Sequence, residues 1–240
     1  MEALDYTPLW DKAYAALRSA ILEGRFSPGD RLLLRELAAK LQISLTPVRD
    51  AVNRLVAERV LERGAPGQGG GAIVPRMTAD QLRELLVIRG DLEGRATSVA
   101  AARATPEDVR AFEALLKQML TLIQQNKLDR YLGVHRKFHF RIYSTAGMGL
   151  LEEMIDTLWL RSSPALTYVI PAYVPLLKGT DFHRAAVEAI KRGDPAEAEA
   201  AIRADIAQAG DYVLSLADQE GRLVPPRPAT RGQQSDRPSA

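Results

Sequence analysis

The chain has 240 residues, 46% of them hydrophobic, an ordinary composition for one or two globular domains with a real core. It has no cysteine, which excludes disulfides and thiolate chemistry and restricts any metal to nitrogen and oxygen ligands. The net charge is only +2, no apolar run reaches the ~18 residues of a membrane span, and Glu2, Asp5 and Asp11 argue against a signal peptide, so a cytoplasmic protein is expected.

In chain order, Tyr14, Leu17, Ile21 and Leu22 predict a helix that ends at Gly24, followed by a turn over Phe26, Pro28 and Gly29. Leu34, Leu37, Ala38 and Leu41 predict a second helix, interrupted at Gln42 and Ile43. Ser44 restarts it, capping the new helix, with Pro47 in the first turn where a missing N–H costs nothing. Val48, Ala51, Val52 and Leu55 then form an inward apolar stripe. Thr46, Arg49 and Asn53 share the outward face and, with Ser44 at the helix start, offer hydroxyl, guanidinium and amide groups to phosphates or base edges. A solvated helix in a plain bundle has the same spacing. What favours DNA is the flanking pattern: Val60, Leu61 and Ala72 to Val74 are β-prone runs bracketing Gly64 to Gly71, so three helices and a hairpin make a winged helix-turn-helix.

Charge agrees with this reading. Residues 31–76 hold eight Lys or Arg against four Asp or Glu, whereas residues 77–221 hold 17 basic and 20 acidic residues. The basic excess coincides with the helix-turn-helix, where Arg31 and Arg35 are expected on phosphates. The glycine-rich segment lacks the lysine and hydroxyl residue of a phosphate-binding loop and no helix follows it. A wing tip, with Gly69 and Gly70 against the DNA, fits better.

Tyr14, Leu17, Arg18, Ile21, Leu22, Gly24, Phe26, Pro28, Gly29, Arg31 and Leu32, then Glu36 to Ala38, Leu41, Ile43, Ser44, Thr46 to Arg49, Ala51 and Leu55, resemble the winged-helix domain of GntR-type bacterial transcriptional regulators. The resemblance covers about the first third of the chain. It implies a dimeric DNA-binding repressor or activator controlled by a small molecule, with repression the expected mode. Since one short recognition helix reads only a few base pairs, a homodimer on a pseudo-palindromic double-stranded operator is expected.

Beyond Pro75 the pattern is helical. Thr78 with Gln81 forms a capping-box signature, and Leu82, Leu85, Leu86, Leu92, Ala96 and Val99 carry a long helix to about Ala104. Thr105, Pro106, Glu107 and Asp108 open another. Further helices are expected over Leu128–Ser144, Leu150–Trp159, Thr180–Lys191 and Pro195–Leu216, with a broken connection where Pro164, Pro171 and Pro175 fall. The expected fold class is mainly α: a winged helix-turn-helix over 1–76, an all-α bundle over 77–220, and a polar, proline-rich disordered tail over 221–240.

All three histidines lie in the second domain. His135 and His139, at i and i+4, project from one face; His183 opens a later helix and Asp205 lies in the next. Three imidazoles and a carboxylate suit zinc, with nickel or manganese as alternatives, leaving positions for water or a ligand; an i, i+4 pair can equally be a surface feature. Arg89, Leu92, Glu93, Phe138, His139, His183, Ala189, Ile190, Gly193, Asp194 and Ala198 resemble the helical effector domain of the FadR branch of the same regulators. In many members an aspartate and three histidines hold a divalent metal. The usual aspartate falls at His135 and the usual last histidine at Asp205, so the set remains three histidines and one aspartate. The resemblance also implies that Arg89 faces the effector cavity, where with the metal it could clamp a small carboxylate; Arg161 is a second candidate for that role. By residues alone Arg89 and Glu93 are an ordinary intrahelical ion pair. Two rivals share the ligand set, a metal sensor and a metal-dependent hydrolase. The hydrolase would need a general base that the sequence does not display, and would leave the helix-turn-helix unexplained.

Overall fold

The computed structural model describes residues 8–64, 71–170, 173–174 and 179–226. Helices α1 (Leu9–Leu22), α2 (Leu34–Leu41) and α3 (Leu45–Ala57) pack around Ile21, Val48, Ala51 and Leu55, all fully buried. α1 stops because Gly24, at φ +73°, reverses the chain, and the amide of Arg25 bonds back to the carbonyl of Ala20 at 2.9 Å. A β-carbon at Gly24 would stand 2.4 Å from the Leu132 side chain, so this glycine also lets the first unit sit close against the second.

The wing differs from the expected hairpin. Its sheet has three antiparallel strands, β1 (Arg31–Leu33), β2 (Glu62–Arg63) and β3 (Gly71–Ile73), in the order β1-β3-β2, with Arg31 opposite Ile73 and Arg63 opposite Ala72. β1 runs straight into α2, and only Leu32 of its three residues is buried. Residues 65–70, including Gly69 and Gly70, lie outside the described residues. Ser44 occupies the N-cap position of α3 with extended backbone, but its side chain makes no capping bond, contrary to expectation.

The second unit consists of α4 (Ala79–Arg103), α5 (Pro106–Gln124), a 3-10 turn (Leu128–Arg130), α6 (Tyr131–Thr145), α7 (Gly149–Leu166), α8 (Thr180–Arg192) and α9 (Pro195–Leu214). Both capping boxes form: Thr78 Oγ1 accepts from the Gln81 amide at 3.2 Å and Gln81 returns the bond at 3.0 Å, and Thr105 pairs with Asp108 in the same way. Helix α7 does not break at Pro164 but continues to Leu166. Proline forfeits one helical bond there, and the Ser162 and Ser163 hydroxyls both donate to the Trp159 carbonyl in that turn. The tail reading also needs correction at its start. The Gly221 carbonyl accepts from the Ala79 amide, Arg222 pairs with Thr78 and Leu223 is buried, so residues 221–223 pack beside the start of α4; residues 227–240 lie outside the described residues.

α1 rests on α6 and α7, which places the first unit directly against the helical bundle that holds the site described next. Among the described residues no helix is long and apolar enough to cross a membrane.

Candidate functional site

On α3 the stripe of Val48, Ala51, Val52 and Leu55 is buried, which turns Thr46, Arg49 and Asn53 outward on one exposed face, with Ser44 exposed at the helix start. Arg31 on β1 and Arg35 on α2 are exposed as well. Arg54, by contrast, is committed within the fold: it pairs with Glu58 at 3.0 Å and Asp11 at 3.7 Å, and lies 3.9 Å from the Tyr14 ring centre. The outward arginine on this helix is therefore Arg49.

In the second unit, His135 and His139 from α6, His183 from α8 and Asp205 from α9 meet, with one ligand atom of each within 4.8 Å of all the others. His139 Nε2 lies 3.1 Å from His135 Nε2, 3.2 Å from His183 Nε2 and 3.5 Å from Asp205 Oδ2, and His183 Nε2 lies 3.2 Å from Asp205 Oδ1. A tetrahedron of bonds ~2.0–2.1 Å long has edges of about 3.3 Å. The donor set therefore fits a cation such as Zn²⁺. Gly179, at φ +87°, opens α8 beside this cluster, and a β-carbon there would crowd Asp205 Oδ1 at 3.2 Å.

The electrostatics favour metal-ready ligands. Burial, reinforced by the neighbouring His183 and Arg89, pushes His135 down to about 3. Burial and the adjacent imidazoles hold His139 well below its ordinary value. Burial opposes ionisation of Asp205, but the charge and hydrogen bond of His183 prevail and its pKa is lowered. His135 and His139 are thus held as neutral imidazoles beside a carboxylate, the protonation states that a divalent ion requires of those ligands.

Above the cluster lies a cavity of about 50 Å³ with mainly apolar walls, among them Leu82, Leu86, Leu132, Val169 and Val213. Arg89 reaches this cavity, but the structure adds a constraint absent from the sequence reading. It is buried and already forked onto Glu93, with Nε–Oε1 2.6 Å and Nη2–Oε2 3.3 Å. Burial works against its charge and Glu93 restores it, so the net shift is upward. Arg161 does not join this site. It is exposed on α7 and lines a separate groove of about 580 Å³ between the two units, together with Arg59, Arg63 and Arg76. Two residues after buried Trp159, it points to the opposite side of the helix.

Sequence reasoning missed Tyr143. Its phenol stands 2.9 Å from His139 Nδ1 and donates to Glu93 Oε2 at 2.5 Å, while burial and Glu93 raise its pKa well above the usual value. The available signal was spacing, since His135, His139 and Tyr143 follow one another at i, i+4 and i+8 on α6.

Residues 84–208 match the FCD domain, and residues 9–74 match the bacterial regulatory proteins of the gntR family. Over 159 residues, 66% of this chain and 71% of the other, the sequence is 35% identical to the HTH-type transcriptional regulator McbR of Escherichia coli K12. It is 30% identical over 204 residues, 84% of this chain and 85% of the other, to the probable D-xylose utilization operon transcriptional repressor of Paenarthrobacter nicotinovorans. The solved structure of E. coli McbR/YncC superposes with a TM-score of 0.77 at 30% identity, covering 85% of this chain and 95% of that one. With both its DNA-binding and its effector domain matched, the chain belongs to the GntR family and is a DNA-binding transcriptional regulator of the FadR-type architecture, not an enzyme.

Proposed function

We propose that this regulator binds a pseudo-palindromic operator as a homodimer and represses transcription until a small organic acid occupies the helical domain beside a divalent metal. The observation that carries the reading is the convergence of His135, His139, His183 and Asp205 within 4.8 Å at the foot of an apolar cavity. When bound, the metal supplies a positive centre that attracts an anion; zinc fits best, with nickel and manganese as alternatives. Arg89 and Glu93 nearly cancel, as do one metal charge and Asp205, so the loaded site retains about one positive charge and favours a carboxylate over a neutral or cationic effector. Arg89 then acts through the donors that Glu93 leaves unused. The apolar walls favour an acid with a short hydrocarbon body.

Thr46, Arg49 and Asn53 would read the operator, with Ser44, Arg31 and Arg35 holding its backbone. Homodimerisation follows from the geometry of a short recognition helix, which reads only a few base pairs and gains from two-fold symmetry. Relatives named as repressors support repression, and the cytoplasm, where the operator lies, is the compartment in which this activity is useful.

The test has two stages. Protein purified without a histidine tag or chelator is analysed for bound elements, and a thermal-shift screen of mono- and dicarboxylates is followed by operator binding with each hit. Close to one divalent ion per chain and an acid that lowers operator affinity are expected. No metal even after adding zinc, nickel or manganese would reject the metal centre. Operator binding that follows the metal alone, with no acid required, would make the protein a metal sensor instead.

A further inference from the structure

We propose that Tyr143 is a positioning residue for the metal centre, its phenol oxygen accepting the Nδ1 proton of His139 so that Nε2 is left with its lone pair facing the cation. The inference rests on the metal reading above and adds to it a residue outside the ligand set.

One chain of contacts fixes where each proton sits. Glu93 receives Arg89 Nε at 2.6 Å and Arg89 Nη2 at 3.3 Å, both of which can only donate, so its carboxylate is an acceptor. A phenol has one proton, and Tyr143 Oη stands 2.5 Å from Glu93 Oε2, so that proton points at Glu93. If it pointed at His139 instead, two oxygens without a proton between them would be pressed together at that distance. The remaining lone pair of Tyr143 can therefore only accept, and the atom facing it at 2.9 Å is His139 Nδ1. A neutral imidazole carries one proton; with that proton on Nδ1, Nε2 is free to bind metal.

Water cannot replace the phenol easily, because Glu93, His139 and Tyr143 are all at most 1% exposed. The contrast with the other ligand on the same helix is informative. His135 Nδ1 is buried with no partner among the described residues, so nothing there selects its tautomer. His139 is thus the oriented ligand of α6, and its orientation is set from α4, through Arg89 and Glu93.

The experiment compares full-length wild type with Tyr143→Phe, which keeps the ring and removes one oxygen. Zn²⁺ affinity is measured by competition with a chromophoric chelator, and the tautomer of His139 is read from imidazole ¹⁵N shifts in the metal-free protein. Wild type is expected to show the Nδ1–H form of His139. The variant is expected to lose that preference and to bind Zn²⁺ about 10- to 100-fold more weakly. Equal Zn²⁺ affinity in the two proteins would overturn the proposal, and so would an Nε2–H tautomer of His139 in wild type, a readout that holds even where the variant fails to fold. Wild type that binds no Zn²⁺ would overturn the metal reading itself and the positioning role with it, and is recognised because both proteins then sit at zero.

Discussion

Arg18 on α1 is ion-paired with Asp156 on α7, joining the DNA-binding unit to the effector unit. The other oxygen of the same carboxylate takes Arg136 at 2.6 Å, and Arg136 follows the proposed metal ligand His135 on α6. One carboxylate thus holds two guanidiniums; burial and the adjacent Arg18 lower Arg136 to about 10, and its side chain also lies 3.9 Å from the centre of the Phe140 ring. A shift of α6 on effector binding would be felt by α1 through this contact. Replacing Asp156 by Asn leaves two cations facing each other without their common partner. Metal content should be unchanged while the effector-induced change in operator affinity, normally about 5- to 150-fold for such coupling, shrinks by at least half on a logarithmic scale. Fluorescence anisotropy with a labelled operator checks this, and an undiminished response would place the coupling elsewhere.

Arg49→Ala should weaken binding to the selected operator roughly 10- to 100-fold while leaving nonspecific DNA binding nearly intact. Arg31→Ala and Arg35→Ala should instead weaken all duplexes alike and reduce the salt dependence of binding by about one ion each. Salt titrations on operator and random DNA separate the two behaviours. An Arg49 variant with wild-type operator affinity would remove α3 from the reading role.

Among the metal ligands the losses should be graded. His139→Ala and Asp205→Ala are expected to abolish stoichiometric metal binding, because His139 Nε2 contacts the other three ligands and Asp205 supplies the carboxylate. His135→Ala should retain weak binding, since its second ring nitrogen has no partner among the described residues to hold it. Elemental analysis after dialysis reads the order. Binding that survives in the Asp205 variant would reduce the site to three protein ligands.

Stability of the metal-free protein should fall as the solution is acidified. In the fold burial pushes His135 down to about 3 and holds His139 well below its ordinary value. In the unfolded chain both return to about 6.5, so below that pH the unfolded state binds protons that the folded state refuses. Between about pH 7 and pH 5 His135 alone costs on the order of 2 kcal/mol, His139 adds to the loss in the same direction, and the loss continues towards the folded value of His135. Urea denaturation in the presence of a chelator measures the trend, and a flat profile across that interval would show that the imidazoles titrate freely.

The sequence was most legible where periodicity and chemistry coincide. The stripe of Val48, Ala51, Val52 and Leu55 placed Arg49 outward before any coordinates, and the two capping boxes announced α4 and α5 at Thr78 and Thr105. Strand β1 escaped notice because three residues are too few to show alternation, and it exists only by pairing with β3. Pro164 suggests a break, yet α7 runs on to Leu166 with only one helical bond forfeited. The largest gap concerned Glu93: an i, i+4 pair with Arg89 is usually a solvated surface feature, and only the tertiary fold makes it fully buried and brings Tyr143 onto it from 50 residues away. Arg161 illustrates the opposite limit, since a side chain near the site in sequence lies on the other side of its helix.

In the proposed mechanism a chemical signal that enters at the metal site reaches the operator. The direct measurement is operator affinity by anisotropy for metal-loaded wild type, chelated wild type and His139→Ala, each titrated with the carboxylate that gives the largest thermal shift. The acid is expected to weaken operator binding by metal-loaded wild type about fivefold or more and to have no effect on the other two. An equal response in all three, or none in the metal-loaded protein despite tight binding of the acid, would contradict it.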